Sequence, residues 1–168
     1  LTVRADLDLQ VCPWEPRGEN ILFVMQKPRD NSMGIVRSEW GSWENMFVQS
    51  MQQIRQHSDR PIRIRLHPSR HRQQMELLTP LLQRFSDVHI SENSVEKDMP
   101  CAVGGESLER DLDSSWAVVG GNSNSLTESV CYGVPTWCLH PSAMAWPVSQ
   151  HEFDTIESPR LDIDRSQW

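Results

Sequence analysis

The chain has 168 residues, of which 38% are apolar, with a mean hydropathy of −0.53; this suits one domain with a sizeable core and leaves two domains cramped. A net charge of −7 argues against a general nucleic-acid or anionic-membrane surface, so any phosphate would have to meet a local site. We find no CxxC pair, secretory leader or membrane-length apolar run, and we expect free thiols in a reducing cytoplasm at Cys12, Cys101, Cys131 and Cys138.

The first strong element in chain order is a strand at 21–25, after an irregular N-terminal segment (1–20) that could include an edge strand at 7–11. Its continuous apolar run is typical of a strand buried on both faces of a parallel sheet. The polar loop that follows lies where open α/β sheets bind ligands, and its candidate binding residues are Gln26, Arg29 and Asp30.

A helix is predicted over 38–57, because apolar side chains recur there at three- and four-residue spacing. After a break at Pro61, the alternating residues 61–67 predict a strand that ends at His67-Pro68. Arg70 then stands at the start of the next helix, so basic side chains and a helix N-terminus coincide. His67 and Arg70 are therefore candidate phosphate ligands, although a lone histidine is more often structural.

The middle of the chain predicts a helix bent or interrupted at Pro80, a short strand at 88–90, a loop at 91–106 and a short helix at 107–113. An apolar run at 116–119 then stops at two glycines and a polar turn, and apolar spacing resumes as a helix. Ser125 and Glu128 have capping-box spacing, which predicts a helix N-terminus with outward amides that attract phosphate. A ligand-free crossover between strands is the alternative. The candidate binding residues of this turn and helix are Asn122, Ser123, Asn124, Ser125 and Glu128.

The last part of the chain predicts a strand at 136–139, a further strand-end loop at 141–147, and the first turn of a helix within 160–168. We expect that the chain is a shortened piece of a longer protein. A metal site of Cys131, Cys138 and His140 is an alternative, but the spacing offers no fourth ligand. Strands alternating with helices predict a single doubly wound, Rossmann-like α/β domain with a parallel sheet.

Several short motifs in this order resemble the C-terminal, nucleotide-sugar-binding half of GT-B glycosyltransferases. The chain is most similar to capsule-type Kdo transferases and sialyltransferases, and it also resembles proteins of marine bacteriophages. The motifs span roughly residues 20–160: Gln26 and Asp30, His67-Pro68, Asn122 to Ser125 with Glu128, Gly133-Val-Pro135, and Ile156-Glu-Ser-Pro159.

The resemblance implies a donor site without metal or other cofactor, in which His67, Ser123 and Ser125 hold the donor phosphate and Glu128 reaches ribose hydroxyls. A cationic His67 would bind phosphate through a charge-assisted bond that fades as the pH rises. A complete enzyme of this family has a second domain for the acceptor, and 168 residues leave no room for it.

Three hypotheses follow from the sequence. The first is a glycosyltransferase, or its donor domain, which uses a nucleotide-sugar donor such as a CMP-sugar and an unidentified glycan or other acceptor. The second is a noncatalytic nucleotide- or glycan-binding module that kept the donor fold. The third, a flavodoxin-like regulator, is disfavoured because receiver domains have clustered acidic residues at the end of the first strand, where this sequence has only Asp30. Dinucleotide and ATP motifs are absent from the sequence.

Overall fold

The computed structural model describes residues 11–28, 33–94 and 105–168. Strands and helices alternate along these residues, and two 3-10 turns follow at Trp146–Val148 and Phe153–Thr155. In chain order the elements are β1 (Asn20–Val24), α1 (Met33–Trp40), α2 (Trp43–His57), β2 (Ile62–Arg65), α3 (His71–Leu82), β3 (Val88–Ile90), α4 (Gly105–Asp113), β4 (Ser115–Gly120), α5 (Asn124–Tyr132) and β5 (Thr136–Cys138).

The described strands form one parallel sheet in the order β3-β2-β1-β4-β5. This confirms the predicted doubly wound, Rossmann-like α/β fold. Strands β2 and β3 lie on one side of β1, whereas β4 and β5 lie on the other, so the strand order reverses between β1 and β4. At such a switch point the neighbouring loops diverge and leave a crevice at the carboxyl edge of the sheet.

Helices cover both faces of the sheet, as a parallel sheet requires. Along β1, Ile21 and Phe23 belong to one buried cluster, and Leu22 and Val24 belong to the other. Successive side chains of a strand point to opposite faces, so this strand joins the two cores. Within the described ranges, no helix combines the length and the apolar character needed to cross a bilayer.

The predicted helix over 38–57 is wrong in one respect, because two helices occupy this part of the chain. Gly41 has a φ of 75°, which ends α1, and the Ser42 side chain accepts a hydrogen bond from the backbone N–H of Asn45, which begins α2. The apolar spacing continues across the break through Trp40 and Trp43, so periodicity alone does not reveal it.

The two end segments of the described chain are irregular and meet over the C-terminal end of α5. The Cys12 and Glu15 amides donate to the carbonyls of Cys131 and Gly133. The helix start predicted within 160–168 is not formed; instead, Arg165 donates to the carbonyls of Val130 and Cys12, and these tertiary bonds replace local helix formation. Residues 7–10 of the predicted edge strand and 95–104 of the predicted loop lie outside the described residues.

Candidate functional site

At the switch point, on the carboxyl edge of the sheet, two hydrogen bonds between amide groups join the loops after β1 and β4. Gln26 Nε2 donates to Asn122 Oδ1 (2.5 Å), and the Asn122 backbone N–H donates to Gln26 Oε1 (3.1 Å). Trp43 Nε1 donates to the Gln26 carbonyl (2.9 Å), which fixes the same segment from α2. Gln26 is buried and both polar ends of its side chain are engaged, so it holds the two strand ends together beneath the crevice.

Glycines permit this close approach of β1 and β4. A Cβ at Gly120 would lie 2.6 Å from Val24 Cγ2 and 3.0 Å from the Val24 carbonyl oxygen. A Cβ at Gly121 would lie 3.1 Å from Gln26 Oε1. The glycine pair therefore lets the strand ends and the Gln26 amide pack directly against the start of the α5 turn.

Helix α5 begins beside this pair, with Ser123 as its N-cap. Ser123 Oγ accepts from the Ser125 N–H (3.3 Å), and the Ser123 carbonyl accepts from the Leu126 N–H (3.0 Å). The predicted capping box of Ser125 and Glu128 is wrong, because the helix starts at Asn124 and so places the cap two residues earlier. Among the described residues, no acceptor takes the N–H of Ser123 or Asn124, which leaves two amide donors at the positive end of the helix dipole.

Glu128 lies one turn further along α5 and is half-buried. Burial raises the pKa of its carboxyl group, and the positive charge of Arg65 at the end of β2 partly opposes that rise. Arg65 itself forms a buried ion pair with Asp111 of α4 (2.6 Å). Glu128 is therefore within electrostatic range of the end of β2 and takes up a proton more readily than an ordinary glutamate.

His67 follows β2 in a tight His-Pro-Ser turn at the same edge. Its Nδ1 accepts from the Ser69 N–H (3.0 Å), so Nε2 carries the proton of the neutral ring. The buried Gln74 accepts from the His67 N–H and donates to the carbonyls of His67 and Ser69. A neutral His67 ring in this turn therefore presents Nε2–H as its remaining hydrogen-bond donor.

The remaining predicted site residues are spread more widely. Arg70 is exposed at the N-cap position of α3 in a left-handed conformation (φ 60°), and its Nη1 lies 3.5 Å from Gln73 Oε1. Arg29 and Asp30 lie outside the described residues. Strand β1 alone separates β2 from β4, so His67 and the start of α5 follow strand ends about 10 Å apart on one edge.

A second His-Pro-Ser turn follows β5. It was not predicted from the sequence, where His140 was considered only as a metal ligand. Ser142 contributes both its N–H (3.0 Å) and its Oγ (2.7 Å) to His140 Nδ1. On the other side of the ring, His140 Nε2 lies 3.2 Å from Glu39 Oε1 of α1. Asn122 Nδ2 donates to Ser142 Oγ (3.1 Å), which joins this turn to the switch point. The available signal was the tetrapeptide Leu-His-Pro-Ser, which occurs at 66–69 and again at 139–142.

In the described part of the chain, no three histidine, cysteine or acidic side chains converge as a metal ion would require, so the alternative of Cys131, Cys138 and His140 is not formed. The candidate site therefore rests on polar groups at the carboxyl edge: backbone amides, two histidines, and carboxyl groups from α1 and α5. Comparison with known proteins adds no relative, since neither a family model nor a curated protein matches the chain.

Proposed function

We propose that this domain binds the nucleotide of an activated sugar and serves as the donor domain of a glycosyltransferase, with a CMP-sugar as the first donor to test. The observation that carries the proposal is the coincidence of three features at the β1/β4 switch point. The Gln26–Asn122 pair joins the loops after β1 and β4, the Ser123 and Asn124 amides have no acceptor among the described residues, and the His67 turn follows β2, which β1 alone separates from β4. Open α/β sheets bind their ligands in such a crevice.

Each group has a distinct role in this proposal. The Ser123 and Asn124 N–H groups donate to a phosphate oxygen at the helix N-terminus. His67 donates its Nε2–H to the same phosphate, and Glu128 bonds a ribose hydroxyl, for which a readily protonated carboxyl can act as donor or acceptor. Amide dipoles and the histidine would stabilise the charge that develops on the departing nucleotide.

Calorimetric titration of CMP and UMP into the wild type, His67→Ala and Ser123→Ala tests this assignment. Loss of the His67 donor and loss of the Ser123 cap should each weaken binding about fivefold, since one hydrogen bond or cap contributes about 1 kcal/mol. His89→Ala is the matched control, because His89 is an exposed histidine of β3. Its affinity should equal that of the wild type.

Absence of nucleotide binding at millimolar concentration contradicts the proposal, as does equal loss in the His89 variant. Binding without any transfer or hydrolysis of a sugar nucleotide would instead support the noncatalytic nucleotide-binding module. A glycan array with the nucleotide-free protein covers the remaining version of that alternative, in which the crevice takes a glycan directly.

A further inference from the structure

The polar groups around His140 form a chain of hydrogen bonds with a defined direction. Asn122 Oδ1 accepts from Gln26, so the Asn122 amide nitrogen is the end that donates to Ser142 Oγ. Ser142 Oγ therefore directs its own proton to His140 Nδ1 (2.7 Å), and the Nε2–H of His140 points to the Glu39 carboxylate (3.2 Å). The chain begins at the switch point and ends on α1.

The side chains in this series of hydrogen bonds differ in their exposure to solvent. The His140 side chain is only 7% exposed, whereas the Glu39 side chain is 51% exposed and Ser142 is exposed. Trp40 packs edge-on against the imidazole, with ring centroids 6.3 Å apart. Among the described residues, the charged side chain in contact with the ring is Glu39. The arrangement is therefore a shielded histidine with one hydroxyl that a ligand can reach.

The His67 turn shows that a His-Pro-Ser turn does not need these additions. It forms the same bond from the serine N–H to the histidine Nδ1, also at 3.0 Å. Ser69 Oγ makes no contact with the imidazole among the described residues, and Gln74 holds the backbone of that turn. The serine hydroxyl and the carboxylate at His140 are thus additional to what the turn requires.

We propose that Ser142 and His140, with Glu39 as the positioning residue, accept the proton of the attacking hydroxyl in the transfer reaction. This inference rests on the proposed function. The acceptor hydroxyl gives its proton to Ser142 Oγ while the serine proton moves to His140 Nδ1. The acceptor oxygen forms its bond to the anomeric carbon, and the bond from that carbon to the phosphate oxygen breaks, with the electron pair leaving on the nucleotide.

Electrostatics favours the product of this step. The imidazolium would donate Nδ1–H to Ser142 Oγ and Nε2–H to Glu39, so its charge faces a carboxylate across one hydrogen bond. The cost is the bond from the Ser142 N–H, which loses its acceptor when Nδ1 is protonated. The Glu39 carboxylate, 3.2 Å from His140 Nε2, faces the imidazolium formed in the step and offsets that cost.

Hydrolysis of bound sugar nucleotides, with water as the acceptor, tests the relay on the full chain. CMP-N-acetylneuraminate, CMP-Kdo and UDP-glucose are each incubated between pH 5 and pH 9, nucleotide release is measured, and CMP and UMP affinities are measured in parallel. Ser142→Ala should lower the rate about a hundredfold or more, as loss of general base catalysis does, without weakening nucleotide binding.

Glu39→Gln provides the readout that a merely structural role would not move. It should lower the maximal rate of hydrolysis about tenfold with little change in KM or nucleotide affinity, because the imidazolium formed in the step loses the carboxylate that faces it, and Glu39→Asp should restore part of that rate. Glu109→Gln, which changes an exposed glutamate of α4, is the matched control and should leave the rate unchanged. Glu39 is half-exposed, so this variant keeps the test decisive even if substitutions of the buried His140 fail to fold.

The outcomes separate the relay from the donor site. Nucleotide binding without hydrolysis of any of the three donors, or a Glu39→Gln rate equal to that of the wild type, overturns the relay and leaves the binding proposal standing. Absence of nucleotide binding overturns both. Hydrolysis that falls in Glu39→Gln and partly recovers in Glu39→Asp supports both.

Discussion

The two Leu-His-Pro-Ser turns share a sequence and a backbone-to-ring hydrogen bond, yet their surroundings differ. At 66–69 the preceding strand ends with the buried Arg65, which pairs with Asp111, and Gln74 holds the turn backbone. At 139–142 the preceding strand ends with the buried Cys138, and Glu39 contacts the histidine ring. The tetrapeptide therefore sets the local shape of each turn, whereas residues distant in sequence set its chemistry.

The buried ion pair of Arg65, which stands two residues before His67, gives the largest test of that difference. Asp111→Asn should lower the free energy of unfolding by about 3 kcal/mol, because the Arg65 guanidinium loses the carboxylate that it contacts in a buried setting. Asp113→Asn, on the exposed side of α4, should cost less than 1 kcal/mol. Urea denaturation of both variants measures the contrast, and equal costs would contradict a special role for the buried pair.

The support beneath the His67 turn gives the next largest effect. Gln74→Ala should lower the free energy of unfolding by about 2 kcal/mol and weaken nucleotide binding as His67→Ala does, because the His67 N–H and two carbonyls lose buried partners. Gln73→Ala, one residue earlier on α3, is the matched control with little expected change. NMR spectra of Gln74→Ala should leave the signals of the His140 turn in place; loss of both turns together would show that the variant unfolds the domain.

Cys138 gives the smallest and most selective effect. Burial raises the pKa of its thiol to about 11, against a weaker opposing contribution from Ser149. At pH 8 about one molecule in a thousand would carry the thiolate, so iodoacetamide should modify the partly exposed Cys12 and Cys131 well before Cys138. Peptide mapping by mass spectrometry follows each cysteine separately, and early modification of Cys138 would contradict its burial.

The raised pKa of the Cys138 thiol also predicts that the free energy of unfolding falls at alkaline pH. Folding favours the neutral thiol, so the contribution of Cys138 is complete below the thiol pKa of the unfolded chain and is lost as the pH rises toward about 11. Cys138→Ala should therefore remove part of the loss of stability above pH 9. Cys131→Ala, at a partly exposed position, is the control variant for that comparison.

The strands could be predicted from the sequence because each is a short apolar or alternating run bounded by glycine, proline or polar residues. The runs at 21–25 and 116–119 match β1 and β4 closely, and Gly133 ends α5 in the left-handed conformation that glycine adopts readily (φ 86°). The parallel order then follows from the alternation of strands and helices. Shared placement of His67 and the start of α5 on one edge was therefore predictable from topology.

The rest depends on contacts that local spacing does not encode. The Gln26–Asn122 pair and the Arg65–Asp111 pair join residues 96 and 46 positions apart. Either serine could cap a helix, so the choice of Ser123 over Ser125 depends on where β4 ends and the turn begins. Glu39 contacts His140 from the last turn of α1, which ends at Gly41, and the continuous apolar spacing across that glycine does not reveal where α1 ends.

The junction of the two end segments over α5 has a consequence for synthesis of the chain. Arg165 Nη2 donates to the carbonyl of Cys12 across 153 positions, and Trp14 Nε1 donates to the carbonyl of Ile163 across 149. At ribosomal rates of about 5–20 residues per second, Cys12 and Trp14 would wait roughly 8–30 seconds for these partners to emerge. During that interval β1, β2 and β3 can already pair, while the segment at 12–17 remains a substrate for chaperones and proteases until Ile163 and Arg165 dock.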